Sequence, residues 1–231
     1  MKRAGAPIGP IGVLGGSFDP VHAGHTRLAR DAQAGLALAQ LRLLPAGLPW
    51  QKGAITPAYH RVAMLDLALQ DEGGRGDAST PADWELDTRE ARSDAPAYTV
   101  DTLRALRAEF GPQVPLVWIM GQDQLERLDT WRQWRSLSEL AHVAYARRPG
   151  SGAAMAPELA DFVARRRGTP AGLAAQPAGS FVEFAMEPVD CSATQIRAAL
   201  ARGDYGGARR YLAPSVLAYI QTHQLYLAVH G

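Results

Sequence analysis

Two histidines, His22 and His25, stand three residues apart behind a glycine pair, in the run Gly15-Gly16-Ser17-Phe18-Asp19-Pro20-Val21-His22-Ala23-Gly24-His25. At the start of a helix that spacing puts both rings on one side of the first turn. A helix N-terminus has free N–H groups and the positive end of the dipole, so it favours anions. Imidazoles added there can donate hydrogen bonds to phosphate oxygens and to charge developing on them. Gly15 and Gly16 let the backbone turn sharply and leave further N–H groups open to a phosphate. The competing readings are a zinc site or two histidines on an ordinary surface loop. Zinc needs more ligands, and the sequence offers neither a cysteine pair nor a third close histidine. No metal-ligating residues are therefore assigned.

A second constellation lies near the C-terminal end, Cys191-Ser192-Ala193-Thr194-Gln195-Ile196-Arg197. Ser192 with Gln195 reads as a capping box that opens a helix. The plain reading stops there and leaves Arg197 on the surface. The functional reading adds an anion facing Ser192, Thr194 and the free N–H groups, with Arg197 as a charge-assisted clamp for a polyphosphate. Both can hold, because a cap and an anion site use the same N–H groups. Cys191 reads as a small buried hydrophobe and not as a catalytic thiol.

These residues need a scaffold, and the apolar patterning predicts one. Strands are expected at Ile11 to Leu14, Leu41 to Leu44, Trp84 to Leu86, Pro115 to Met120, His142 to Ala146 and Phe181 to Phe184. Helices are expected at Gly24 to Leu38, Pro57 to Gln70, Val100 to Phe110, Trp134 to Leu140, Ser192 to Arg202 and Pro214 to His223. Within Pro57 to Gln70, residues Val62, Leu65 and Leu69 are expected on one face. Asp71 to Asp83 reads as a surface loop. Gly150 to Gly179 is biased toward Ala, Gly, Pro and Arg, with one helix near Pro157 to Arg167 and a poorly specified loop behind it. Strands alternating with helices imply an α/β fold, a doubly wound Rossmann-like parallel sheet with flanking helices. Ligands in such sheets sit beyond the carboxyl ends of the strands, near the switch point. The dinucleotide fingerprint G-x-G-x-x-G is absent after the first strand, which disfavours a hydride-transfer enzyme. The expected organisation is one domain over 1–231, with the phosphate-binding helix and the helices from about 190 onward packed on it.

Composition narrows the class further. The 231 residues are 47% hydrophobic, enough to bury a full core. A formal net charge of +1 gives no nucleic-acid footprint, and Arg165-Arg166-Arg167 reads as the solvated end of a helix. One cysteine excludes an internal disulfide. There is no signal-peptide pattern and no apolar run of roughly 18 residues. A cytoplasmic protein with no nucleic-acid or membrane partner is expected, its oligomeric state open.

The first constellation resembles the G-G-x-F-D-P-x-H-x-G-H signature of the H-x-G-H nucleotidyltransferase superfamily, and the second resembles its I-S-[ST]-T-x-[IV]-R signature. The resemblance implies that His22 and His25 contact ATP phosphates and stabilise the pentacoordinate transition state at the α-phosphorus. It also implies that Ser192, Thr194 and Arg197 hold the β- and γ-phosphates. Phosphopantetheine adenylyltransferases are similar but usually carry Thr in place of the first histidine, so His22 disfavours them.

From about Ile11 to Tyr226 the chain resembles bacterial nicotinate-mononucleotide adenylyltransferases. Leu48-Pro49-Trp50-Gln51-Lys52 stands in place of the P-P-H-[KR] loop, with Gln51 for the usual His. Ala95-Pro96-Ala97-Tyr98-Thr99 resembles P-S-Y-T, Gly121-Gln122-Asp123 resembles G-x-D, Thr130-Trp131 resembles a T-W pair, and Arg147-Arg148-Pro149-Gly150 resembles an R-P-G turn. The implied ATP contacts are Gly15, Gly16, Ser17, His22, His25, Gly121 and Asp123 together with Ser192, Thr194 and Arg197. His22, His25 and Arg197 are the implied catalytic groups. Nicotinate mononucleotide would meet Ser17, Phe18, Lys52, Tyr98, Thr99 and Trp131. Asp123 can accept from ribose hydroxyls, and a tryptophan face suits a pyridine ring. Backbone N–H groups near Thr99 and Trp131 are candidate donors to the nicotinate carboxylate. The plain alternatives are a helix N-cap for Asp123 and a packing role for Trp131. Glu90-Ala91-Arg92-Ser93 departs from the family's Glu-[LI]-x-Arg, so no role is carried onto Arg92.

The activity implied is adenylyl transfer from ATP to nicotinate mononucleotide in NAD biosynthesis, with Mg²⁺ carried on ATP. Nicotinamide mononucleotide or another phosphate ester is the alternative acceptor. A non-catalytic nucleotide-binding regulator on the same fold is the reading from another class.

Overall fold

A computed structural model describes residues 9–49, 55–73, 84–93, 95–147 and 155–227. Eight strands occur among them: β1 (Ile11–Gly16), β2 (Gln40–Pro45), β3 (Leu48–Pro49), β4 (Trp84–Leu86), β5 (Pro96–Ala97), β6 (Leu116–Gly121), β7 (His142–Arg147) and β8 (Phe181–Ala185). The helices are α1 (Ala23–Gly35), α2 (Ala58–Gly73), α3 (Thr99–Phe110), α4 (Gln122–Leu125), α5 (Trp134–Leu140), α6 (Pro157–Ala164), α7 (Ala193–Ala201), α8 (Tyr205–Ala208) and α9 (Pro214–Thr222). Six strands form one sheet in the order β4-β2-β1-β6-β7-β8, and every pairing in it is parallel. The expected doubly wound α/β sheet is therefore present. From β1 the chain winds outward through β2 to β4, and from β6 it winds the other way through β7 to β8. The switch point falls between β1 and β6, which puts Gly15-Gly16 and Gly121 at the mouth of one crevice.

Both faces of the sheet are covered, which is why its strands read as continuous apolar runs. Along β6 the side chains alternate. Leu116, Trp118 and Met120 join Leu103 and Leu106 of α3 and Leu137 of α5. Val117 and Ile119 face the opposite cluster, with Ala29 of α1, Leu65 of α2, Ile196 of α7 and Val216 of α9.

Several boundaries differ from the expected ones. α1 ends at Gly35 because Ala37 turns the chain with φ 50°, so the expected helix to Leu38 is three residues too long. In α2 the buried positions are Arg61, Met64, Leu65, Ala68 and Glu72; of the expected stripe, Leu65 is buried, Leu69 packs half-buried on the core and Val62 is half-buried. The buried face is displaced from the apolar pattern because two of its residues, Arg61 and Glu72, are charged. α2 also runs to Gly73, into the expected loop, and 74–83 lie outside the described residues. The pair β3–β5 and the short helices α4 and α8 were not expected; elements of two to four residues leave no periodicity to read. Behind α6, a 3-10 segment, Pro170–Ala175, buries Leu173, so the expected poorly specified loop is anchored by one side chain. No helix among the described residues is long and apolar enough to cross a membrane.

Candidate active site

The first turn of α1 is closed by its two histidines. His22 is the N-cap, and its Nδ1 accepts from the Gly24 N–H at 3.1 Å. His25, three residues on, accepts the His22 N–H on its own Nδ1 at 3.2 Å. This is a capping box built from two imidazoles. An Nδ1 that accepts a backbone N–H carries no proton, so each ring keeps its proton on Nε2. The rings lie with centroids 3.9 Å apart, and both are thereby fixed as Nε2–H donors. A Cβ on Gly24 would come 3.0 Å from His22 Cε1 and 3.3 Å from Cys191 Sγ, so the small residue between the histidines makes room for the first ring.

The second constellation reaches the first through Arg197. Ser192 caps α7, its Oγ accepting from the Gln195 N–H at 3.2 Å and donating to Gln195 Oε1 at 2.8 Å. The expected capping box thus closes side chain to side chain. Arg197 donates from Nη1 to the Asp19 carbonyl at 2.7 Å and from Nη2 to Thr194 Oγ1 at 3.4 Å. The loop before His22 is tied in this way to the N-terminus of α7. Cys191 needs a correction. It is only partly buried, and its Sγ lies 3.4 Å from His22 Nδ1. With no proton on that nitrogen, the thiol is the donor, so Cys191 is a polar neighbour of the histidine and not an apolar filler.

Two supports of this loop carry no sequence signature. Arg61 is 1% exposed and donates at 2.8 Å to each of three carbonyls, those of Ser17, Gly47 and Thr56. Asp19 is also buried; its Oδ1 accepts from the Tyr226 hydroxyl at 2.6 Å and its Oδ2 from the Thr56 N–H at 3.3 Å. Burial holds the Tyr226 hydroxyl far above the ordinary phenol range, so it remains a donor. An arginine in a helix and a tyrosine in a tail have nothing nearby in sequence to mark them; only the fold brings them to the loop.

A cavity of about 320 Å³ opens at the carboxyl ends of β1 and β6. Gly15, Gly16, Ser17 and His25 line one side, Gly121 and Asp123 another, and Tyr98, Thr99 and Trp131 a third. Nine of the expected binding residues thus line one cavity. Asp123 is exposed in the first turn of α4 and is not its N-cap, which is Gly121. Trp131 packs on the core cluster beneath, as its plain reading expects, and also lines the cavity. A Cβ on Gly15 would come 2.6 Å from the Trp118 indole, which forms the floor.

Other expected residues lie elsewhere. Phe18 is fully buried, at φ 49°, with its ring 4.9 Å from that of His25; it backs the histidine and does not face the cavity. His22 faces an adjoining cavity of about 310 Å³, shared with Arg27, Arg30 and Arg210. Ser192, Thr194 and Arg197 stand outside the cavity wall. Lys52, Gln51 and Arg148-Pro149-Gly150 lie outside the described residues. Glu90 and Arg132 line the cavity although no role was expected of them. The Glu90 carboxylate accepts the Thr102 hydroxyl, and burial raises its pKa. Arg92 lies in a separate groove with Arg42, Asp87 and Arg89.

Residues 13–199 match the cytidylyltransferase-like family model. Over 219 residues, 94% of each chain, the sequence is 47% identical to a Laribacter hongkongensis (strain HLHK9) protein named "Probable nicotinate-nucleotide adenylyltransferase". The chain belongs to the nicotinate-nucleotide adenylyltransferase family. A Dechloromonas aromatica (strain RCB) protein of the same name is 45% identical over 94% of this chain and 97% of its own. Among solved structures, the Plasmodium falciparum nicotinic acid mononucleotide adenylyltransferase complexed with APC superposes with a TM-score of 0.70 at 16% identity, covering 94% of this chain and 97% of its own. At that identity the likeness shows a shared fold. The family relation spans both histidines, the cavity wall and Arg197, so those residues lie within a common framework of two layers of helices on one parallel sheet.

Proposed function

We propose that this protein transfers the adenylyl group of ATP to nicotinate mononucleotide, releasing pyrophosphate and forming nicotinate adenine dinucleotide, a cytoplasmic step of NAD biosynthesis. The observation that carries the reading is the imidazole capping box: two Nε2–H donors held side by side at a helix N-terminus, beside a cavity large enough for a nucleotide. A phosphate oxygen of the mononucleotide attacks the α-phosphorus of ATP, the bond to the bridging oxygen of the β-phosphate breaks, and pyrophosphate leaves with that electron pair. No group on the protein is modified. Catalysis rests on positioning and on stabilising charge on the phosphoryl oxygens. His25 and His22 donate to those oxygens, and Arg197 adds a cationic clamp next to the α7 N-terminus. Gly15, Gly16 and Ser17 admit the phosphates, Asp123 accepts from a ribose, and Trp131 with Tyr98 and Thr99 holds the pyridine ring. Lys52 belongs to the same proposal as a further cation for the mononucleotide.

Magnesium enters on the ATP phosphates. Among the described residues no three His, Cys, Asp or Glu side chains converge to cage it, and the Asp19 carboxylate is occupied by Tyr226 and Thr56. Bound there, it would neutralise polyphosphate charge. The test uses ATP labelled at the α-phosphorus. The label must appear in a dinucleotide when nicotinate mononucleotide is present, with inversion of configuration at phosphorus. Bound ATP that never yields labelled dinucleotide would leave the non-catalytic regulator as the better reading.

A further inference from the structure

The cavity wall carries a charge problem that the mononucleotide has to solve. Two carboxylates line it, Glu90 and Asp123, and the one lysine or arginine among its described lining residues is Arg132. Arg132 follows Trp131 directly, and its guanidinium carbon sits 4.7 Å from the centroid of the Tyr98 ring. The cation is therefore held where Tyr98, Thr99 and Trp131 meet. Its ion-pair partner, Asp101, lies 3.7 Å away and is engaged more closely by Arg104, at 3.0 Å. Two guanidiniums share one carboxylate, so the group keeps a net positive charge beside the cavity.

We infer that Arg132 is a specificity-determining residue, selecting an acceptor whose pyridine ring carries a carboxylate over one carrying the neutral amide. This rests on the proposed adenylyl transfer to a pyridine mononucleotide. The Trp131 N–H is given to the Leu128 carbonyl at 3.0 Å, so it is not open to the acceptor, and an amide carbonyl accepts from a lone backbone N–H as a carboxylate does. A guanidinium separates the two by a full charge and can take a carboxylate with two parallel hydrogen bonds. A ring carboxylate entering a cavity already lined by Glu90 and Asp123 is disfavoured without such a cation. Arg132 is 54% exposed, so solvent screening keeps its effect moderate.

The experiment measures kcat/KM for nicotinate and nicotinamide mononucleotides, at saturating ATP and Mg²⁺, in the full chain and in Arg132→Gln, Arg132→Lys and Arg104→Gln. Arg132→Gln should lower kcat/KM for the acid by about five- to tenfold, through KM, and change the amide by less than about twofold. Arg132→Lys should recover part of the loss, and Arg104→Gln, which leaves Asp101 to Arg132 alone and removes the net positive charge, should lower the acid-to-amide ratio by less than Arg132→Gln does. Added salt should shrink the ratio in the unmodified chain and not in Arg132→Gln. An unchanged ratio in Arg132→Gln, or an equal fall for both acceptors, overturns the assignment while leaving adenylyl transfer intact. An unmodified chain that turns over neither mononucleotide overturns the proposed function and this inference together.

Discussion

His22 gives its backbone N–H to Nδ1 of His25 at 3.2 Å, while its own Nδ1 accepts from Gly24. One pair of side chains thereby starts a helix and keeps the proton of each ring on Nε2. The cap and the chemistry can be separated by substitution. Asparagine also caps helices, so His22→Asn should keep the melting temperature near that of the unmodified protein and still lose kcat by about 10²-fold or more. His22→Ala and His25→Ala should lose turnover similarly, with ATP affinity far less affected, and His22→Ala should cost about 1 kcal/mol of stability besides. Near-normal kcat in both alanine variants would remove the histidines from the mechanism. Steady-state kinetics with thermal melts reads both effects.

Gly24→Ala separates helix propensity from geometry. Alanine within a helix normally gains about 0.5–1 kcal/mol over glycine. Here the added Cβ would crowd His22 Cε1 at 3.0 Å and Nδ1 at 3.1 Å. The ring must shift, so kcat should fall by about tenfold even if the melting temperature holds or rises, since small misplacements of catalytic groups are costly. Unchanged turnover would show that the ring position tolerates movement.

Arg61 should matter to folding first and to kinetics second. Its guanidinium satisfies the Ser17, Gly47 and Thr56 carbonyls. Arg61→Met leaves three acceptors without this donor, the Gly47 carbonyl in a buried bond and those of Ser17 and Thr56 in partly buried ones, at up to about 1–3 kcal/mol for each. Denaturant unfolding should show a loss of about 3 kcal/mol, with Arg61→Lys intermediate. A loss below about 1 kcal/mol would mean that the loops hold without this strut.

Stability should fall in mild acid because of His142. It is fully buried, with Nε2–H donating to the Gln176 carbonyl at 2.8 Å and Nδ1 accepting from the Ser180 N–H at 3.1 Å. Burial lowers its pKa below the ordinary histidine value. The unfolded chain then binds the proton more readily than the folded one, so unfolding free energy rises with pH between the depressed folded pKa and about 6.5. This contribution is complete above that window and is lost as pH falls through it. Melting temperature followed from pH 7.5 to 5 should drop, and His142→Gln should flatten the slope. An identical slope in both proteins would contradict the assignment.

How far the fold could be read follows from where its signals lie. β6 and β7 announce themselves as apolar runs, and Ser192 marks the start of α7 by its own chemistry. The gathering of Gly15, His25, Asp123 and Trp131 was implied by the family resemblance, and the sheet accounts for part of it: β1 and β6 are neighbours, so their carboxyl ends meet. Arg61, Tyr226 and Cys191 were not legible, because each acts on a loop distant in sequence: Tyr226 bonds Asp19, 207 residues earlier. Phe18 was misplaced for the opposite reason. It lies inside a binding motif, and its backbone at φ 49° turns the ring inward behind His25.

The most direct test of adenylyl transfer to a pyridine mononucleotide is pyrophosphate release from ATP and Mg²⁺ with nicotinate or nicotinamide mononucleotide, run in parallel. The site predicts fast release with the acid and slow release with the amide. Release with neither acceptor, from folded protein that binds ATP, would contradict it.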